Sequence, residues 1–185
     1  MLVTASCRDD VRSTGPASDA TGSTIVPGST IEALPAVDGP FAAGRTPLAG
    51  FGEVAVRITA PDGTVRVLCM LRARSDAQRQ RGLMTVTDPE LGGYDGMLFE
   101  FDDDVTGWFW MRNTPLALSI AYIDDRGRLV SSSDMAPCRD SARCPTYPAR
   151  VPYRMAVEVP RGGLSRLGIE PGSQLARAGA CAPLG

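Results

Sequence analysis

The chain contains no lysine and no histidine, so all 19 of its basic residues are arginine. Without histidine there is no Ser-His-Asp or Cys-His relay, and most zinc sites lose a ligand type. Without lysine there is neither a Schiff-base amine nor a P-loop lysine. Aromatic residues are scarce, at 6%. No apolar run reaches the roughly 18 residues that a membrane-spanning helix needs. The net charge of −2 supplies no long-range attraction to nucleic acid or acidic lipid, and no nucleic-acid partner is expected. No cofactor motif is present and no cofactor is expected. Little catalytic chemistry is left, and no reaction can be named from these residue types.

The 185 residues, 43% of them hydrophobic, are enough for one domain of ordinary size with a tail. Ser, Thr, Gly and Pro fill 22 of the first 50 positions, and Phe41 is the only aromatic there. Such a segment cannot bury enough apolar surface to offset the entropy of ordering it. Residues 1–50 therefore read as a leader and tether, flexible from Arg8 to about Gly50, with a coil span of roughly 35 Å. Residues 51–185 read as a single β-rich domain. The opening Met1-Leu2-Val3-Thr4-Ala5-Ser6-Cys7 looks like the end of a bacterial lipoprotein signal. Cys7 is then the candidate for lipidation, and a lipid anchor is the only membrane attachment expected. The apolar stretch before Cys7 is shorter than a full signal peptide requires, and the alternative is a chance cysteine in a leader.

From Phe51 the pattern changes to short strands separated by turns. Residues 53–60 alternate, with Val54, Val56 and Ile58 on one face. Pro61-Asp62-Gly63-Thr64 reads as a turn, and residues 64–71 return as the second strand of a hairpin. The second half of that strand is apolar on both faces, which predicts a central, buried position. Ser75-Asp76-Ala77-Gln78 is a capping-box pattern and Gly82 a stop, so one short helix is expected over 76–81. Further strands are expected over 96–101, 108–111, 116–124, 128–134, 153–160 and 174–177. Turns are expected at Asp102-Asp103-Asp104 and at Asp124-Asp125-Arg126-Gly127, and residues 164–167 make a helical turn at most. The expected fold is mainly β: a sandwich-like or distorted-barrel domain of about seven or eight short strands with one short helix.

Five cysteines are present: Cys7, Cys69, Cys138, Cys144 and Cys181. Cys138 and Cys144, flanked by Pro137 and Pro145, fit a disulfide closing a short loop. A metal site there has too few ligands, and the spacing is not that of a redox C-x2-C pair. Cys69 and Cys181 form the second expected pair; the alternative for Cys69 is a free thiol in the core. With Cys7 taken as the lipid site, the remaining four pair evenly. That parity points to an oxidising, extracytoplasmic location, either cell envelope or secreted.

Three blocks carry a resemblance: Gln80-Arg81-Gly82-Leu83-Met84, Gly96-Met97-Leu98-Phe99, and the run from Trp108 to Asp124. Together with Ala136-Pro137-Cys138 through Cys144, and Glu158-Val159-Pro160 through Gly172, they resemble the domain-of-unknown-function family numbered 192. The resemblance covers roughly residues 53–177. It implies a mostly β, sandwich-like fold, often carried on exported bacterial and archaeal proteins, and it implies no activity. The family's central block usually has one aromatic before Met-Lys-Asn-Thr. Here Trp108, Phe109 and Trp110 precede Met111, and Arg112 stands in place of the lysine, so no role that needs an amine carries over.

Alternation along a strand puts Trp108, Trp110 and Arg112 on one face, with Phe109 and Met111 on the other. Two indoles, a guanidinium and an amide suit a sugar, a peptide or an amphipathic anion. The alternative is that the tryptophans are core, Arg112 pairs with an aspartate, and Asn113-Thr114-Pro115 is only a turn. The candidate ligand-binding set is Arg81, Trp108, Trp110, Arg112, Asn113, Thr114 and Asp134. The arginines Arg72, Arg74, Arg79 and Arg81 make either an anion seat beside the short helix or a solvated face. Glu100 and Asp102–Asp104 could attract Ca²⁺ but lack an EF-hand pattern, and no metal is expected. The leading expectation is a tethered envelope binding or accessory domain, with a small ligand or an envelope protein as partner. A hydrolase using carboxylates among Asp88, Asp95, Asp124 and Asp134 on sugar or ester is the second. A structural, partner-docking domain is the third.

Overall fold

The computed structural model describes residues 44–139 and 143–184. The expected leader, as far as residue 43, and Cys7 lie outside the described residues.

The chain begins with the expected hairpin. β1 (Gly52–Thr59) and β2 (Val65–Ala73) pair antiparallel, Val54 opposite Met70 and Ile58 opposite Arg66. α1 (Asp76–Arg81) follows, with the Ser75 hydroxyl accepting from the Gln78 backbone N–H and the Gln78 side chain accepting from the Ser75 N–H. None of its residues is buried, so the reciprocal cap carries much of its stability. Ser75→Ala is expected to cost about 1 kcal/mol, read as a lower urea midpoint with an unchanged m-value.

A connection containing a 3-10 turn (Leu91–Gly93) leads to β3 (Gly96–Val105), which pairs parallel with β2. This crossover makes the sheet mixed. β4 (Trp108–Trp110) leaves the sheet, and β5 (Leu118–Ile123) and β6 (Leu129–Met135) form a second hairpin. In its turn Asp124 accepts from the Arg126 and Arg128 backbone N–H groups. Gly127 there takes φ 78°, and an added Cβ would lie 2.3 Å from the Leu175 carbonyl oxygen. β7 (Thr146–Pro148), β8 (Tyr153–Pro160), α2 (Gly163–Arg166) and β9 (Gln174–Gly179) complete the chain.

The large sheet has seven strands in the order β6-β5-β8-β3-β2-β1-β9; β4 and β7 form a separate two-stranded ribbon. The fold is therefore mainly β and sandwich-like, as expected, without a closed barrel: β6 and β9, at the two edges, approach at one end, where Arg128 bridges Gln174 and Leu175 N donates to the Gly127 carbonyl. Nine strands and two short helices are described, against the seven or eight strands and one helix read from the sequence. The strand missed was β7, three residues that follow Pro145 and end on Pro148, whose pairing with β4 no local pattern announces. Asp102–Asp104 are not a turn but part of β3. They sit where its register with β8 is interrupted, between Glu100 and Val105, and Asp104 pairs with Arg154 at 2.9 Å.

Both faces of the large sheet are covered, which is why its central strands are apolar on both sides. On one face Leu71, Met97, Phe99, Ile120 and Tyr122 pack with Leu83, Met111 and Phe109. On the other, Val56, Met70, Leu98, Ile123 and Val157 pack with Ile169 and Leu175. Contacts with the domain begin before residue 51. Thr46 N donates to the Gly92 carbonyl, and Leu48 packs on the first face.

Candidate functional site

The ribbon β4–β7 lies over the first face, and aromatic packing sets which way β4 turns. Phe109 meets Phe99 edge-on at 4.9 Å between centroids and Tyr122 at 5.8 Å. Met111, two residues on, is fully buried. β7 is held from both sides: the Tyr122 hydroxyl donates to the Tyr147 carbonyl, and the Tyr147 hydroxyl accepts from Ala136 N at 3.0 Å. Burial pushes the Tyr122 hydroxyl well above the ordinary phenol range, so it stays a donor at any physiological pH.

With Phe109 and Met111 inward, Trp108 and Trp110 turn outward. Trp108 is 38% exposed and Trp110 partly so. The Arg112 guanidinium lies 5.6 Å from the centre of the Trp110 ring, a cation–π distance. The next residues are held backbone to backbone. Thr114 N donates to the Met111 carbonyl at 3.0 Å, and Thr85 N donates to the Asn113 carbonyl at 2.8 Å. Asn113 has φ 55° and Thr85 φ 62°. Asparagine tolerates the left-handed region, but a β-branched threonine there is strained, and such strain concentrates at functional sites. Thr85 was not among the candidates read from the sequence, although it directly follows the Gln80–Met84 block. Cys138 bridges Arg112 on one side and Thr114 on the other.

Four of the seven candidates, Trp108, Trp110, Arg112 and Asn113, are thus at least partly exposed along one stretch of chain, while a fifth, Thr114, is buried at its end. The other two lie elsewhere. Arg81 donates to the Ala49 carbonyl at 2.6 Å and covers the Phe51 ring at 5.0 Å, which ties the entry segment to α1. Asp134 accepts from the Ser119 hydroxyl at 2.6 Å and faces Arg161 at 3.7 Å. Ser119 alternates with Leu118 and Ile120, so Asp134 is on the opposite face of the sheet from the ribbon. Arg72 pairs with Glu100 at 2.7 Å, and Arg79 with Asp76 and the Glu100 carbonyl, so these arginines brace the fold beside α1.

The remaining carboxylates serve their own surroundings. Asp88 accepts from Glu90 N and Gly92 N, and Asp95 from Cys69 N. Burial pushes the Asp124 carboxyl up, but hydrogen bonds from Arg128 and Arg126 outweigh it and hold the group below the usual carboxylate value. Glu158 is different. It is 4% exposed, on the first face between Met97 and Ile120, and burial raises its pKa to about 8. Its carboxyl is mostly protonated at neutral pH. The sequence showed Glu158 only as part of a family block, with no sign of this burial.

Cys69–Cys181 and Cys138–Cys144 are both bonded, with sequence separations of 112 and 6. Glu53, Cys69 and Cys181 bring a carboxylate and two sulfurs within 4.8 Å of one another, but the bond between the sulfurs withdraws them as metal ligands. Two disulfides fit a non-reducing environment. Among the described residues no helix is long and apolar enough to cross a membrane.

Fold and surface together define a small, disulfide-stapled, mainly β domain with an aromatic ribbon laid over one sheet face. The chain belongs to DUF192, an uncharacterised ACR family, which it matches over residues 57–177. It is similar to a structure of a candidate transcription regulator from Sinorhizobium meliloti 1021, with 26% identity and a TM-score of 0.60. That match covers 71% of this chain and 98% of the other. It is also similar to a protein of unknown function from Novosphingobium aromaticivorans DSM 12444, with 29% identity and a TM-score of 0.61, covering 74% and 94% respectively. No curated protein matches at a significant level.

Proposed function

We propose that this is an extracytoplasmic binding domain, tethered to a membrane through its leader, whose ligand lies on the Trp108–Trp110–Arg112–Asn113 surface. The observation that carries the reading is the outward turn of both tryptophans, with Arg112 over the Trp110 ring, while Phe109 takes the core position. Leaving two indoles partly in water forfeits burial that a purely structural role would use. A flat apolar face beside a cation suits a ligand with a ring or chain and a negative group. The disulfides support the extracytoplasmic part of the reading, and the Ser/Thr/Gly/Pro-rich leader with Cys7 supports the tether.

Trp108 and Trp110 are the only tryptophans, so intrinsic emission reports on this surface alone. Titration with soluble envelope-glycan fragments, acidic peptides and short anionic amphiphiles is expected to give one class that shifts the emission saturably. Trp110→Ala is expected to weaken that binding about tenfold or more, the scale of a truncated aromatic anchor. The control is Val65→Ser/Val67→Ser, at another exposed apolar place on the sheet, which should leave affinity unchanged. Equal affinity in wild type and Trp110→Ala, or no response to any class, would overturn the reading.

A further inference from the structure

We propose that Cys138–Cys144 is a thiol–disulfide exchange site that controls the geometry of the Trp110–Arg112 surface while the domain stays folded. The inference rests on the ribbon's construction, and it names the regulation of the surface assigned above. Cys138 bridges Arg112 and Thr114. Cys144 stands two residues before Thr146, which pairs with Trp110. The covalent bond between Cys138 and Cys144 therefore closes a ring through Thr146, Trp110, Met111 and Arg112. Opened, the segment is held by the backbone bridges and the Tyr122 and Tyr147 hydrogen bonds, and no cross-link ties the strand beside Arg112 to the strand beside Trp110.

The two disulfides differ in position and in span. Cys138 and Cys144 are both partly exposed, and Pro137, Arg139, Arg143 and Pro145 beside them are exposed, so an attacking thiolate can approach. Cys69 is 4% exposed and packed in the first core face. A bond spanning 6 positions restrains the unfolded chain much less than one spanning 112, so the fold survives its loss more readily. Met111, on the same ring, stays anchored by full burial, which confines the change to the outward residues.

The reductant is a dithiol, protein or small molecule. Its thiolate attacks one sulfur of the pair and forms a mixed disulfide. Its second thiol, deprotonated, then displaces the remaining cysteine sulfur. The products are two thiols, Cys138 and Cys144, and the oxidised dithiol, with two electrons and two protons transferred.

The test uses the full chain in graded dithiothreitol buffers. Free thiols are trapped by alkylation and mapped by mass, while acrylamide quenching of the two tryptophans and the thermal melt are followed. Cys138 and Cys144 are expected to be alkylated first, with Cys69–Cys181 intact. At that point the quenching constant should roughly double, as for a segment released by local opening. The melt should remain cooperative, and reoxidation should restore the quenching. Cys138→Ser/Cys144→Ser is expected to show the doubled quenching in every buffer. The proposal falls if this pair opens only together with Cys69–Cys181. It also falls if the pair opens without a change in quenching, or if the double variant does not fold. No ligand enters these readouts, so a failed ligand titration overturns the binding reading alone.

Discussion

Between pH 5 and pH 8 the domain is expected to lose stability steadily, and Glu158→Gln is expected to abolish most of that loss. Burial raises the Glu158 carboxyl from 4.5 to about 8. Over that window the folded chain keeps a proton that the unfolded chain releases. The stabilisation is complete below the unfolded value and is lost as pH rises through the folded one, with a slope of about 1.4 kcal/mol per pH unit. Across the window this amounts to about 3–4 kcal/mol, a large share of the stability of an ordinary domain. Asp124 has the opposite sign. Its lowered value contributes stability above the usual aspartate range, which is lost as pH falls below it, so the two effects occupy separate windows. Urea unfolding at intervals of pH, for wild type and Glu158→Gln, is the check. Parallel profiles for the two proteins would show that Glu158 is ionised at little cost in the fold.

The second large effect belongs to Cys69–Cys181. This bond ties the segment after β9 back onto the middle of β2, where Cys69 is packed beneath the sheet's first face. Arg45 adds to the same junction by donating to the Ala182 carbonyl at 2.8 Å and to the Gly93 carbonyl at 3.1 Å. A closed span of 112 positions is worth about 4–5 kcal/mol in restrained unfolded-chain entropy, against about 2 kcal/mol for a span of 6. Cys69→Ala/Cys181→Ala is therefore expected to lower Tm by roughly 15 °C. Cys138→Ser/Cys144→Ser should lower it by less than half as much. Calorimetry on the three proteins under oxidising conditions decides it. Equal losses would mean that span does not govern these two bonds.

These two expectations pull on the same face of the sheet. Glu158 sits between Met97 and Ile120, and Cys69 lies in the same packed layer as Leu71 and Met97. That layer also receives Phe109 and Met111, which hold the ribbon. Its integrity is a condition for the outward surface, whatever ligand that surface takes. The quenching readout on Trp108 and Trp110 separates a disturbed layer from a disturbed surface, because the former also broadens the melt.

Much of this was legible in residue order, and the reason is local. The β1–β2 and β5–β6 hairpins follow from alternation interrupted by Pro-Asp-Gly and Asp-Arg-Gly turns, which need no distant partner. The α1 bounds follow from Ser75, Gln78 and Gly82, all within one turn of the helix ends. The double-sided apolar half of β2 announced a central strand, and β2 is central. The alternation of residues 108–112 divided them correctly into two sets. Alternation alone could not say which set faces inward, because both contain large apolar side chains.

That choice was made by tertiary contacts. The aromatic cluster of Phe99, Tyr122 and Tyr153 accepts one ring from β4, and Phe109 fills it, which leaves Trp108 and Trp110 outside. Sheet alternation likewise sent Asp134 to the opposite face, and Arg81 went to the Ala49 carbonyl. Neither outcome could be read along the chain, because each depends on which strands become neighbours. β7, the left-handed Thr85 and the burial of Glu158 depend on the same neighbour relations. Residue order determines turns, caps and the two faces of a strand, since these depend on neighbours a few positions away. Only the packed sheet decides which face meets water, because burial is a property of what lies across the interface and not of the strand itself.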